Sequence, residues 1–240
     1  MEKYYDEAEI KEYIDRYRLY DIIPDIREYG EERLKIFTAK KGERLYPQNE
    51  TEKLIFLVDG VVKNYALTKN GRKLLLHFSE AVELLRDLEF LNISNLSVGL
   101  EPLNRAKFLE INLKGIRDDL LDNNDFLRAM LRQIGGKLSK TTIAQTMTAV
   151  YPLESRLGSY LLYCTAQLPP QKKFFDENLV ETAELLGCSY RHLLRTLKDF
   201  CTEGALEHTQ NGYKILDEEL LSKKASDRPI YGKYHGKIVE

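Results

Sequence analysis

The chain has 240 residues, 43% hydrophobic and 31% charged, with a formal net charge of −2. This is the make-up of a globular chain with room for one large or two small domains, and it excludes a broadly basic nucleic-acid coat. No run approaches the ~18 apolar residues of a membrane span, so no membrane partner is expected. The three cysteines, Cys164, Cys188 and Cys201, include no C-x-x-C pair, which argues for free thiols in a reducing cytoplasm over a disulfide framework or a metal site. The opening Met-Glu-Lys-Tyr-Tyr-Asp has no apolar core of a signal peptide, and a cytoplasmic location is expected.

Residues 1 to about 37 are acidic and tyrosine-rich. Ile10, Tyr13, Ile14 and Tyr17 recur at helical spacing, and Leu34, Ile36 and Phe37 alternate into a first strand. From Ala39 short apolar runs are separated by turn signals. Lys41-Gly42-Glu43 and Pro47-Gln48-Asn49-Glu50 are turns, Leu54–Val58 is a strand ending at Asp59-Gly60, and Val61–Leu67 is the next, ending at Lys69-Asn70-Gly71. Lys73–Phe78 pairs back onto it, and Ala106–Ile111 reads as a closing strand. Such spacing indicates an antiparallel sandwich or jelly roll. Between them, 83–91 reads as helix-like and charged.

Phe126 to about Thr148 is one long helical pattern with a seam of Leu127, Leu131, Ile134, Leu138, Thr141, Gln145 and Thr148. Its length and seam suit a two-helix dimer interface; a core helix within one domain is the alternative. Gly135-Gly136 costs about 1 kcal/mol per glycine relative to alanine and lets backbones approach or bend. Pro152 closes the helix and marks a hinge. Leu153–Ala166 is a further amphipathic helix, broken by Leu168-Pro169-Pro170-Gln171-Lys172-Lys173.

Residues 178–203 read as two short helices around a tight turn. The first runs from about Leu179 to Leu186 with Ala183 toward its partner; Gly187 ends it, Cys188 bridges and Ser189 caps the second. The second helix turns Leu193, Leu194 and Leu197 inward, continued by Phe200 and Cys201, and leaves Tyr190, Arg191, His192 and Arg195 at its exposed start. A small residue, a glycine four later and a leucine six after that match the helix-turn-helix, where two helices cross closely. From Cys188 to Lys198 there are three basic residues, one histidine and no acid, a surface suited to phosphates and to guanine edges. Ala205–Thr209 and Tyr213–Leu216 flank Gln210-Asn211-Gly212, a hairpin signal that completes a winged helix-turn-helix. Residues 151–224 nonetheless hold nine Lys/Arg against eleven Asp/Glu, so the positive charge is local. Glu218–Leu221 can form a last helical turn, and 225–240, poor in apolar residues, reads as a mobile tail.

The organisation is therefore a mixed α+β chain: a β-roll sensor at 1–122, a dimerisation helix and hinge at 123–150, a winged helix-turn-helix at 151–224 and the tail at 225–240. No G-x-S-x-G, P-loop, H-E-x-x-H or paired-cysteine zinc motif is present, and His77, His192, His208 and His235 are scattered, so no enzyme, metal or cofactor is expected.

This order of elements, with Gly187-Cys188-Ser189 followed by Arg195 and Leu197-Lys198, and Leu57-Val58-Asp59-Gly60-Val61-Val62 in the roll, resembles the Crp/Fnr superfamily of bacterial transcription regulators over about residues 35–217. The run Ser189–Arg195 resembles its YeiL-like branch. The resemblance implies a homodimer on a palindromic double-stranded promoter site, with RNA polymerase as partner and a small-molecule effector in the roll. The family's arginine, glutamate and second arginine at the start of the recognition helix fall on Tyr190, Arg191 and Arg195, so the site read should differ from the family's best-known one. DNA contacts are expected from Ser189, Tyr190, Arg191, His192, Arg195, Lys198 and, in the wing, Asn211. The family's glycine-glutamate and arginine-serine-alanine elements for a cyclic nucleotide are not intact: Arg86-Asp87 stands at the first, and Arg105-Ala106 lacks the serine. No cyclic nucleotide is therefore expected, nor an iron–sulfur cluster, since no cysteine precedes Cys164. A lone His77 is a weak haem ligand candidate. The competing reading is a winged-helix module, or a ligand sensor, that binds no DNA.

Overall fold

The computed structural model describes residues 3–45, 52–91, 93, 98–167 and 174–225. The expected turn at 47–50, the break at 168–173 and the tail at 226–240 lie outside the described residues. In chain order the elements are β1 (Lys3–Tyr4), α1 (Glu7–Arg16), β2 (Leu34–Ala39), β3 (Lys53–Asp59), β4 (Val61–Leu67), β5 (Lys73–Glu80), β6 (Glu83–Leu85), α2 (Asp87–Phe90), β7 (Val98–Pro102), β8 (Ala106–Asn112), α3 (Arg117–Leu121), α4 (Asn124–Val150), α5 (Leu153–Ala166), β9 (Phe174–Phe175), α6 (Leu179–Leu185), α7 (Tyr190–Thr202), β10 (Leu206–Thr209), β11 (Gly212–Ile215) and α8 (Glu218–Lys224). By compactness they fall into two units: Met1–Ala66 with Ser79–Lys140, and the described residues of Leu67–Phe78 with Thr141–Glu240.

The first unit is the roll. One antiparallel sheet runs β1-β2-β8-β3-β6; in a second sheet, β5-β4-β7, β5 belongs to the second unit up to Phe78. The central strand β3 shows why its sequence is apolar without alternation. Leu54, Phe56 and Val58 face a core shared with α1 and α4, while Ile55 and Leu57 face the roll interior with Phe37, Val62 and Phe108. A sheet covered on both sides needs apolar residues at every position, where a half-exposed one needs every second. In the interior the Phe37 and Phe108 rings stack with centroids 4.8 Å apart. Ile10, Tyr13 and Ile14 of α1 close the other side, as their spacing predicts. The helix begins at Asp6, whose carboxylate accepts a bond from the Glu9 N–H at 3.0 Å, satisfying one of the donors a helix start leaves open.

Two elements depart from the sequence reading. Glu83–Leu85, expected within a helix, is instead strand β6, paired antiparallel with β3 through Leu57↔Glu83, and only Asp87–Phe90 coils into α2. The physical reason is burial: Leu84 and Leu85 cover opposite sides of the same sheet, which a helix cannot do. Strand β7, not anticipated from the sequence, sits at the edge of its sheet, where its Pro102 is tolerated.

Helix α4 runs unbroken for 27 residues, about 40 Å. Phe126 and Met130 are buried in the core of the first unit, with Leu127 and Ile134 packed beside them. Leu131 and Leu138, by contrast, are 69% and 65% exposed. The seam read from sequence therefore divides into two faces of one helix. Lys137 and Lys140 pair with Asp87 at 2.8 Å and Glu83 at 2.5 Å, fixing this half of α4 to the β6–α2 segment.

Among the turns, Gly60 carries a strict requirement. Its φ is +88°, and a Cβ there would lie 2.7 Å from the Arg105 carbonyl oxygen and 2.8 Å from the Ala106 Cα. Gly60→Ala is expected to lower stability by about 2–4 kcal/mol, combining backbone strain with overpacking. Urea unfolding of the full chain checks this, and an unchanged midpoint and slope would contradict it.

Candidate nucleic-acid interface

Everything in this site lies within the second unit. Helix α6 starts at Asn178, whose side-chain oxygen accepts from the N–H groups of Val180 at 2.9 Å and Glu181 at 3.2 Å. It stops at Leu186 because Gly187 adopts φ +62°. Cys188 N–H then bonds the Ala183 carbonyl, and Gly187 N–H the Glu184 carbonyl, each at 2.9 Å. That double closure uses carbonyls a helix end leaves open, and it fixes the direction in which the chain leaves. Arg156 of α5, almost fully buried, donates to the Leu186 carbonyl and to the Tyr151 carbonyl, so the turn is held from below. Ala183 is buried at the small-residue position.

Ser189 opens α7 by accepting from the His192 N–H at 3.2 Å. The buried face of α7 is Leu193, Thr196, Leu197 and Phe200. Leu194 and Cys201, expected in that stripe, are only half-buried, and the buried Thr196 satisfies its hydroxyl on the His192 carbonyl at 3.1 Å. Ser189, Tyr190, Arg191, His192, Arg195 and Lys198 are all exposed. Arg191, Arg195 and Lys198 follow at intervals of four and three, so they share one face of the helix. The strands β10 and β11 pair with Thr209 opposite Gly212, which leaves Gln210-Asn211 as a two-residue tip and Asn211 exposed. Every residue expected to touch DNA is thus on the outer side of one motif.

Sequence reasoning missed two supports of this motif. Strand β9 adds to the outer edge of the wing, with Tyr213 opposite Phe175. It also accounts for Gly212: a Cβ there would collide with the Phe175 carbonyl oxygen. The glycine serves a close crossing of backbones, and its turn signal in the sequence was a by-product. Helix α8, expected from the sequence as a last helical turn at Glu218–Leu221 but not as a support, is the other. It packs on α5, and its Lys224 bonds Glu154 at 2.6 Å and also pairs with Glu203 beyond the end of α7.

Cys164 is buried, and burial pushes the thiols of Cys188 and Cys201 above their ordinary range. Among the described residues no group of His, Cys, Asp and Glu has the arrangement of a metal site, and no helix is long and apolar enough to cross a membrane.

In the roll, Arg86 adopts a left-handed backbone, φ +65°, at the position where the resemblance places a glycine. Asp87 beside it is buried and engaged by Lys137. Arg105 stands exposed in the turn ahead of β8. His77 places Nδ1 3.2 Å from the Thr141 hydroxyl, within the second unit.

No protein-family model matches the chain. The regulatory protein YeiL of Escherichia coli O157:H7 is 28% identical over 183 residues, 76% of this chain and 81% of that protein. A probable transcriptional regulator, flp, of Lacticaseibacillus casei is 23% identical over 181 residues, 75% of this chain and 83% of its own length. A Crp/Fnr-family structure from Eubacterium rectale superposes with a TM-score of 0.72 at 16% identity, covering 85% of this chain and 98% of that one. The two sequence relatives are named as regulators, and the solved Crp/Fnr structure shares the fold of this chain. The Crp/Fnr fold gives the α+β architecture expected from the sequence, with its roll, long helix and winged helix-turn-helix.

With the thiol pKa raised, the thiolate fraction at pH 8 falls below that of free cysteine. Cys188 and Cys201 are therefore expected to alkylate with iodoacetamide more slowly than free cysteine, with rates that keep rising above pH 9. Mass spectrometry of the native protein measures this, and a rate equal to or above that of free cysteine at pH 8 would contradict it.

Proposed function

We propose that the chain is a DNA-binding transcription regulator that acts as a homodimer on a palindromic promoter site. The observation that carries this is the outer face of α7, where Arg191, Arg195 and Lys198 stand exposed together and no acid occurs from Cys188 to Lys198. Arginine presents two parallel donors to the O6 and N7 of guanine, and Arg195 is assigned that contact. Arg191 stands where a glutamate would accept from a cytosine amino group, so the operator is expected to lack that feature. Ser189 and Asn211 are assigned to phosphates, and Tyr190, His192 and Lys198 to the groove wall.

The dimer reading rests on α4. Leu131 and Leu138 are seven residues apart and exposed, with Gly135 and Thr142 exposed on the same side. A large bare aliphatic stripe with small residues between is the surface a second copy of the same helix covers. Two reading helices would then enter successive major grooves, about 34 Å apart. RNA polymerase is the partner this reading implies at the promoter.

For the effector we expect no cyclic nucleotide. The carboxylate at the ribose position, Asp87, is already neutralised by Lys137, and Glu83 by Lys140. Removing one partner of such a pair to seat a ligand would leave a buried charge exposed to a low dielectric, at a cost of several kcal/mol.

Selection of bound DNA from a random pool, followed by titration of the winning duplex, tests the reading. Arg195→Ala is expected to cost about 1–3 kcal/mol on that duplex and to relax preference at one base pair in each half-site. Affinity is expected to fall steeply between 50 and 200 mM salt. No enrichment, or an affinity indifferent to salt, would favour a protein partner for the winged helix instead. Leu131→Asp with Leu138→Asp is expected to yield monomers in sedimentation, with half-site affinity only.

A further inference from the structure

The tip of the β4–β5 hairpin, Leu67–Phe78, belongs to the same compact unit as the helix-turn-helix, although its sequence places it in the roll. Its attachment is specific. The Phe78 ring lies 4.4 Å from the Tyr163 ring and 6.0 Å from that of Tyr160, and Tyr160 meets the Phe175 ring of the wing edge-on at 6.0 Å. The Leu75 carbonyl accepts from Gln145 Nε2 at 3.5 Å. The Leu74 side chain lies against Gly187, 3.6 Å from where a Cβ would project. Lys73, 7% exposed, places Nζ 3.1 Å from a Glu181 carboxylate oxygen.

These contacts fall on the parts of the motif that aim α7. Glu181 is in the first turn of α6, beside the Asn178 cap, and Gly187 is the turn itself. In a helix-turn-helix the first helix crosses the DNA backbone, so a bare carboxylate at its start would face phosphates. Lys73 neutralises that carboxylate and holds the helix end. We infer that Lys73 and Phe78 are positioning residues for DNA reading, and that the hairpin is a working part of the reading head. Because β5 continues from Phe78 into Ser79, where the first unit begins, the strand is a second covalent route, beside α4, by which a change in the roll reaches α6. At its roll end the strand is anchored by Ser79, fully buried, which accepts from Asn64 Nδ2 at 2.8 Å and donates to Glu83.

This inference rests on the DNA-binding reading above, and the experiment separates the two. Full-length wild type, Lys73→Met, Lys73→Arg and the exchange Lys73→Glu with Glu181→Lys are titrated against the selected duplex at several salt concentrations, with thermal unfolding of each variant alongside. Lys73→Met is expected to bind about 5–20-fold more weakly while the dependence of log K on log salt stays that of wild type, since Lys73 touches no phosphate itself. Lys73→Arg and the exchange are expected to return affinity to within about threefold of wild type. Wild-type affinity in Lys73→Met overturns the inference and leaves the DNA reading intact. So does an exchange variant that binds no better than Lys73→Met, or a salt slope reduced by about one, which would make Lys73 a direct phosphate contact. Wild type that enriches no DNA overturns both.

Discussion

A 27-residue helix that must bury one side and leave another bare is the constraint on which the rest of this structure depends. Phe126 and Met130 commit one face of α4 to the core of the roll. Their burial fixes, by the geometry of 3.6 residues per turn, that Leu131 and Leu138 point away from that core. Two exposed leucines at heptad spacing are the surface on which the proposed pairing with a second copy rests. The N-terminal part of α4 belongs to the first unit and its C-terminal part to the second, so the same helix that presents the outer stripe also feeds the reading motif.

The roll has the opposite economy, with its polar positions turned inward and settled among themselves. Lys63 and Glu101 face one another across β4 and β7 and pair at 2.7 Å, both almost fully buried. Asn64, Ser79, Glu83 and Lys140 form a continuous chain of hydrogen bonds ending in an ion pair, and Asp87 closes on Lys137. Buried charges are tolerated only with a partner, and here each partner is a lysine of the chain itself. These pairs tie the helix to the β6–α2 segment by charge in addition to apolar contact.

Much of this was legible in the sequence, for reasons that can be named. Positive-φ glycines at 42, 60, 71 and 187 marked true ends of elements because few other residues take that conformation cheaply. The helix-turn-helix was readable from the Ala183, Gly187 and Leu193 spacing because close crossing and a sharp exit leave little choice of residue. What escaped was set by tertiary context. Glu83-Leu84-Leu85 carries helical-looking charge spacing, yet the free edge of β3 takes it as a strand. The seam of α4 blended two faces because three-and-four spacing over many turns cannot tell a core from a partner. Thr196, which the apolar pattern does not mark, is buried because its hydroxyl finds a backbone carbonyl within its own helix. The hairpin's attachment to the reading motif left no local trace, since Lys73 and Glu181 are 108 residues apart in the chain.

The central claim is that two copies of α4 pair through the outer stripe and hold two arginine-bearing helices at the pitch of a duplex. Hydroxyl-radical footprinting of the wild-type protein on its selected site tests it most directly. The account predicts two protected patches on one face of the duplex, centred about 10 base pairs apart and related by a twofold axis. A single protected patch, or two patches without that spacing and symmetry, would contradict it.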